Sequence, residues 1–476
     1  MHFSIPDTQE TKDANGSIFT SYNIYVNGVF HCSVRYRQLH QFHEELKKEF
    51  GASALPAFPP KKILPLSPSQ VEERRTLLER YIQLASQDVQ ISNSDQFNGF
   101  LSMAQQETQK QEPENVSLAA YLMNGHKITV NIVSTNQTEE ILEAVASQIE
   151  IPDEYVYYFG LYLVRKEEGG DNSIVRKLQD FESPYISLKA ANKEGVHRIV
   201  LRKSYWDSSF DDDLLENKIT MNLLYVQAVS DIERQWVLAT KDQLKHLTTL
   251  QERGSKRDYV RLARTLKYYG YIQFRPCVTD YPNPNSRVLV AAGNKELNFR
   301  VQVQDQIKEG SFKITRMRCW RITTTYPEGS GDSSSSSSPN LELSFEYLMA
   351  RDTLKWITIT SSQAMLMSMC LQNMVDELIM KKQGKKFKKP QDHTKSPQTI
   401  GVNGETTHYG DNTHFKRQQS RESQVDSKAV HNDDQSAINK AMGSVKKISD
   451  KFSKSSKAEN SITQNDAFEQ IGDDDL

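Results

Sequence analysis

No run of about 18 apolar residues occurs in the 476-residue chain, so no membrane-spanning helix is expected. Cysteine is scarce. Cys32, Cys277, Cys319 and Cys370 are too scattered for a disulfide framework or a zinc cluster, and fit buried thiols of a reducing compartment. The first residues, Met1-His2-Phe3-Ser4-Ile5-Pro6, hold neither a basic region nor an apolar core, so no secretory leader is expected. Charge of one sign is also lacking: 59 Lys and Arg against 61 Asp and Glu leave a net charge of -2, which argues against a general nucleic-acid binder. Catalytic constellations are missing as well. His40 and His43 stand at helical spacing without a third ligand, Gly329 and Gly331 fall in a Ser-rich stretch rather than between strand and helix, and Asp211-Asp212-Asp213 reads as a solvated turn. Neither enzyme activity nor a metal or cofactor is expected, and the protein is read as a monomer of the cytoplasm.

Beyond about Gly384 aromatics nearly vanish while Lys, Gln, Ser, Asp and Asn accumulate, so residues 385–476 are expected to be disordered. Two islands interrupt this tail. Ile438, Met442, Val445, Ile448 and Phe452 have helical spacing, and the end from Asn465 to Leu476 joins apolar anchors to an acidic terminus.

Residues 1–107 read as strands followed by helices. Tyr22, Ile24 and Val26 alternate up to an Asn27-Gly28 hairpin turn, Phe30, Cys32 and Val34 resume the alternation, and Leu39, Phe42, His43 and Leu46 switch to helical spacing. Ser67-Pro68-Ser69-Gln70 is a helix start. A polar stretch from Gln105 to Glu114 reads as a linker. Residues 115–204 open with a hairpin around Asn124-Gly125, a helix bearing Ile141, Leu142, Val145 and Ile149, and a strand from Phe159 to Val164. Residues 205–269 are mostly helical, and Gly270 begins a strand-rich region to 384 closed by a helix from Ser362 to Lys382. The fold class is therefore α+β, multidomain, with a disordered tail.

The chemistry-bearing feature lies in the first region. Arg35-Tyr36, Lys61-Lys62 and Arg74-Arg75 place cations on three separate segments, with an aromatic beside the first. Guanidiniums that grip phosphate oxygens in pairs, an ammonium as point charge and a flat apolar face suit a phosphorylated ring. The loop Ile63-Leu64-Pro65-Leu66 between them puts apolar side chains where a lipid interface would receive them better than water.

The order strand, Arg-Tyr, amphipathic helix, Pro59-Pro60-Lys61, loop and Arg-bearing helix resembles the phox-homology (PX) domain. That resemblance implies binding of phosphatidylinositol 3-phosphate, with Arg35 on the 3-phosphate, Tyr36 stacked on the inositol, and Lys61 and Arg74 on the remaining contacts. Arg37 stands where the family often has Ser, a second cation that strengthens the site or changes its selectivity. A ubiquitin-like lobe, a helical lobe and a strand-rich lobe then follow in the order of a FERM module, whose third lobe is phosphotyrosine-binding-like. With Leu55-Pro56-Ala57-Phe58-Pro59-Pro60-Lys61-Lys62, Arg202-Lys203-Ser204-Tyr205-Trp206-Asp207, Met317-Arg318-Cys319-Trp320-Arg321 and the Ile471-Gly472-Asp473-Asp474-Asp475-Leu476 ending, the chain resembles the PX-FERM group of sorting nexins.

What the group implies is an endosomal cargo adaptor on the cytoplasmic face of early endosomes. Its partners would be receptor tails with Asn-Pro-x-Tyr signals, among them integrins and the lipoprotein-receptor family, and the Retriever recycling complex. A FERM-type scaffold joining receptors to cytoskeleton or signalling proteins is the alternative. In the third lobe the expected peptide edge is Met317 to Thr323, with Met317 and Trp320 on it and Met367, Leu371 and Val375 on the helix as the other wall; that each is merely core stays equally open. No basic cluster stands beside this groove, which favours an unphosphorylated Tyr or Phe. Phe468, Ile471, Gly472, Asp473, Asp474, Asp475 and Leu476 are the expected contacts of the recycling partner. Asn465-Asp466-Ala467-Phe468 also has the Asn-x-x-aromatic spacing of a groove ligand, so the tail serves either the groove, the outside partner, or both in turn.

Overall fold

A computed structural model describes residues 1–12, 15–62, 64–167, 172–303, 306–325, 340–384, 387 and 462–465. Ile63, the Ser333–Ser338 run, the 438–452 island and Phe468 to Leu476 lie outside them.

The N-terminal domain is built on β3 (Ile18–Val26). Its one edge pairs with β1 (Phe3–Ser4) and β2 (Thr8–Lys12), which flank Pro6, a residue with no N–H to donate. Its other edge pairs with β4 (Val29–Arg35) through the Asn27-Gly28 turn, where both residues have positive φ, 50° and 76°. Helices α1 (Tyr36–Phe50), α2 (Pro68–Ala85), α3 (Val89–Ser92) and α4 (Asp95–Gln109) close over the sheet. Ser67 caps α2 and Gln70 reaches back to it, as the sequence predicts. The segment expected as linker from Gln105 is instead helical to Gln109. Thr108 holds it by accepting from the Ser33 N–H, and Gln38 donates to Glu107, so tertiary bonds outweigh a polar composition.

The next lobe is a five-stranded sheet in the order β6 (Lys127–Val133), β5 (Asn115–Tyr121), β9 (His197–Lys203), β7 (Phe159–Lys166), β8 (Asn172–Lys177), with β5 and β9 parallel and α5 (Thr138–Gln148) and α6 (Pro184–Ala191) against it. Strands β8 and β9 are absent from the sequence reading, since their charged residues mask the alternation. The helical lobe holds α7 (Asp211–Leu215), α8 (Lys218–Glu233), α9 (Lys241–Glu252) and α10 (Lys256–Ala263).

The third lobe continues with β10 (Ile272–Gln273), β11 (Cys277–Thr279), β12 (Ser286–Gly293), β13 (Glu296–Val303), β14 (Gln306–Lys313), β15 (Met317–Thr325), β16 (Asn340–Ala350), β17 (Thr353–Thr360) and α11 (Ala364–Lys382). A single strand over Phe312 to Thr325 is expected from the sequence; a 3₁₀ turn at Ile314–Arg316 splits it, burying Ile314. The strand pattern from Tyr271 to Val278 is likewise broken beside Pro276. In the sheet order β14-β13-β12-β11-β17-β16-β15, a further strand, β18 (Ile462–Asn465) from the tail, adds outside β15.

Joints between the lobes are polar and buried. Asp211, expected as part of a solvated turn, is instead fully buried: Tyr269 donates its hydroxyl to it at 2.9 Å, Tyr205 does so too, and Lys203 lies at 3.4 Å. Only its neighbours Asp212 and Asp213 are exposed, Asp212 pairing with Arg264. Burial, with the Asp211 charge beside them, pushes both Tyr205 and Tyr269 far above the usual phenol range, so they remain donors. The Glu377 carboxylate on α11 accepts the backbone N–H groups of Trp206 and Asp207 at 2.8 and 2.7 Å, and Lys381 pairs with Asp207. Helix α11 thus fastens the Trp206–Asp207 connection between the first two lobes.

Candidate lipid and peptide sites

Arg35 ends β4 at the start of α1, where the Gln38 side chain accepts its backbone N–H at 2.8 Å. Its guanidinium carbon lies 3.4 Å from the centroid of Phe19, a cation–π contact that extends the side chain across the sheet face. Tyr36, the next residue, donates its hydroxyl to the Pro59 carbonyl at 2.9 Å. The Arg74 guanidinium sits 4.2 Å above the Tyr36 ring, and Arg74 also reaches the Pro60 carbonyl at 3.5 Å. Phe58 fixes this loop: it stacks on His43 (4.6 Å, 12°), meets Tyr81 edge-on at 4.8 Å, and lies 5.8 Å from Tyr36. His43 is thus a packing residue, donating to or accepting from the Tyr81 hydroxyl at 3.0 Å.

Folding brings Arg74 onto Tyr36 from a second segment, with Arg35 next to Tyr36 in the chain and resting on Phe19. Lys61 and Arg37 are exposed, and Lys62 is drawn toward Glu73 at 3.9 Å. Arg75 turns away, bonding Glu72 and the Ile5 carbonyl, whereas Arg74 is the member of the pair that lies over Tyr36. Leu64 is 79% exposed at the tip of the loop and Leu66 is half-buried. Phe19 and Phe58 have no sequence signal of their own; only the register of β3 against β4 and the closure of the Pro-Pro loop reveal them.

In the third lobe, β15 pairs on one edge with β16 and on the other with β18, antiparallel, matching Trp320 with Asn465, Arg321 with Gln464, Ile322 with Thr463 and Thr323 with Ile462. Helix α11 crosses behind this edge. Met317, Trp320, Met367, Leu371 and Val375 all belong to the apolar core between the sheet and α11, every one buried and Trp320 0% exposed. The indole Nε1–H donates to the Ser368 Oγ at 3.0 Å. The cations nearest in sequence are engaged: Arg318 pairs with Glu346, and Arg321 lies 4.5 Å over Trp356. An edge paired to an extended segment and backed by an apolar helix has the geometry of strand addition to a sheet. Among the described residues no cluster of His, Cys, Asp and Glu could hold a metal, and no helix is long and apolar enough to cross a membrane.

Comparison with known proteins agrees with this layout. The PX domain model matches residues 22–104, the sorting nexin 17/27/31 FERM F1 lobe 116–206, the sorting nexin 17/31 FERM F2 lobe 207–267, and the sorting nexin 17 FERM C-terminal domain 270–379. The chain is 48% identical to sorting nexin-17 of Danio rerio over 489 residues, covering all of both proteins. It is 52% identical to sorting nexin-17 of Homo sapiens over 395 residues, 82% of this chain and 84% of that one. Human sorting nexin-31 is 36% identical over 80% of this chain and 86% of its own length. Among solved structures, the FERM and C-terminal domain complex of Drosophila Merlin is similar over 56% of this chain and 98% of that one, at 11% identity and a TM-score of 0.38. The chain belongs to the sorting nexin family, in the PX-FERM group that includes sorting nexin-17 and sorting nexin-31.

Proposed function

We propose that this sorting nexin is an endosomal cargo adaptor. Its PX domain holds phosphatidylinositol 3-phosphate through Arg35, Tyr36, Lys61 and Arg74, with Arg37 as an added cation, while Ile63, Leu64 and Leu66 enter the bilayer surface of early endosomes. The FERM module adds Asn-Pro-x-Tyr and Asn-x-x-Tyr segments of receptor tails as a strand on β15, with the buried Met317, Trp320, Met367, Leu371 and Val375 forming the apolar wall behind that strand. Integrins and lipoprotein-receptor relatives fit that chemistry. The C-terminal Phe468 to Leu476 then engages Retriever, and cargo returns to the plasma membrane rather than to lysosomes. The chain works without catalysis and as a monomer.

One observation carries the peptide half of this reading: β15 pairs with Ile462–Asn465, a segment whose continuation Asn465-Asp466-Ala467-Phe468 has the spacing of the signals themselves. The edge accepts an extended strand ending on Asn, and the chain's own tail is a low-cost occupant because it is tethered. On this reading cargo displaces the tail and frees the C-terminal end for its partner. Calorimetry of an Asn-Pro-x-Tyr peptide with the full chain tests it: saturable binding that an Asn→Ala change in the peptide removes supports the adaptor, and binding indifferent to that Asn refutes it.

A further inference from the structure

The PX domain touches the FERM module at the helix behind the peptide edge. His2 is tied to the β3–β4 hairpin by two bonds: its backbone N–H donates to the Asn27 Oδ1 at 2.9 Å, and the Asn27 N–H donates to the His2 carbonyl at 2.7 Å. From there the imidazole Nε2 reaches the Ser368 Oγ on α11 at 2.8 Å, and the same oxygen receives the Trp320 Nε1–H. Three buried groups, from β1's approach, α11 and β15, thus form one line across 366 residues of sequence. Beside them a Cβ built on Gly28, at φ 76°, would lie 3.6 Å from the Met365 methyl of α11, so the hairpin tip is seated directly against the helix.

The proton count constrains the line. An indole N–H only donates, so the Ser368 oxygen accepts it and has its own proton to give to an imidazole nitrogen acting as acceptor. His2 Nδ1 is buried and has no hydrogen-bond partner among the described residues. With Nε2 accepting, the neutral ring's one proton sits on Nδ1; a charged imidazole would carry a second proton on Nε2 and leave the Ser368 hydroxyl without its acceptor. Burial, the larger effect, and the neighbouring terminal amine lower the His2 pKa to about 3, in keeping with a neutral ring.

We propose that His2 is a positioning residue for the peptide groove: the docked PX domain holds Ser368 through His2, and Ser368 holds the Trp320 indole in the orientation the groove requires. The inference rests on the groove reading above. It means that the lipid-binding domain is a structural part of the peptide site, and peptide affinity depends on how the PX domain sits on α11.

The test uses the full chain with its tail, so that competition from β18 is the same throughout. Affinity for an Asn-Pro-x-Tyr peptide is measured for wild type, His2→Ala, Ser368→Ala and the double variant, alongside exchange of the Trp320 indole N–H, assigned by its loss in Trp320→Phe. His2→Ala should weaken peptide binding by about three- to tenfold, the range of one neutral hydrogen bond, and speed indole exchange by about tenfold. The double variant should be no weaker than Ser368→Ala alone, because both remove the same line. His2→Gln, which can still meet the Ser368 hydroxyl, should recover most of the affinity. Wild-type affinity in His2→Ala, or strictly additive losses, would overturn the proposal. Failure of the wild type to bind the peptide overturns instead the groove reading, and the exchange measurement still reports whether His2 holds the indole.

Discussion

Arg35 shows how one residue is set up by its neighbours. Phe19 supports the guanidinium from one side and Gln38 fixes the backbone at the strand–helix junction, so the donors are oriented before a ligand arrives. Arg35→Gln should abolish sedimentation with phosphatidylinositol 3-phosphate liposomes, a loss of about 2–5 kcal/mol, and undiminished binding would refute the assignment. Leu64 is 79% exposed, unlike the packed residues around Arg35. Leu64→Glu should weaken liposome binding yet leave soluble headgroup binding intact; equal loss in both assays would make the loop structural. Trp320 differs again. Being wholly buried and bonded to Ser368, it cannot be removed without opening the core, and Trp320→Ala should cost about 3–5 kcal/mol of stability along with peptide binding. Circular dichroism melts read the first effect and calorimetry the second; an unchanged melt would mean that the core collapses around the smaller side chain.

Among elements, β15 and α11 matter most. β15 has one edge inside the sheet and one that β18 covers, and an edge strand with unpaired N–H and C=O groups recruits any extended segment held nearby. A chain ending at Lys389 lacks that competitor and should bind an Asn-Pro-x-Tyr peptide more tightly than the full chain, by an amount set by the effective concentration of the tether. Phe468→Ala should move affinity in the same direction, and identical affinities in all three proteins would reject self-occupancy. α11 is the shared strut: Ser368, Glu377 and Lys381 on this one helix meet the PX domain, the connection between the first two lobes and β15. Its apolar spacing is visible in the sequence as a helix closing a lobe, but the polar residues that make it a joint carry no periodicity.

At the scale of the whole molecule, His2 and His31 both lie in buried contacts of the PX domain with the FERM module. His31 meets the Leu101 carbonyl at 2.9 Å and packs edge-on against Phe181, with Glu182 and Arg176 nearby; His2 faces Ser368, with the terminal amine and Asp376 nearby. Burial lowers both pKa values, so the unfolded chain takes up protons below about pH 6.5 that the folded chain refuses. Stability is therefore complete above that pH and falls as the solution is acidified. Between pH 7.5 and 5.5, His2→Gln should lose about 1.4 kcal/mol less than wild type in denaturant titrations, and parallel losses would show that His2 titrates normally.

Much of this protein is written locally. The Asn27-Gly28 turn, the Ser67–Gln70 cap, the alternating and helical stripes and the Arg35-Tyr36 pair are short-range patterns, so the PX domain and the lobe order can be read from sequence. Burial of a charge is not local. Asp211 reads as solvated and becomes the centre of an interlobe network, because only packing of the interlobe connection against the helical lobe removes it from water. Phe19 under Arg35, Ser368 between His2 and Trp320, and the seating of Ile462–Asn465 on β15 likewise join residues 16 to 366 positions apart or a tail to a sheet edge. Periodicity reports which face of an element is apolar; which element it meets is decided by tertiary packing, where long-range hydrogen bonds are paired only once the chain has closed on itself.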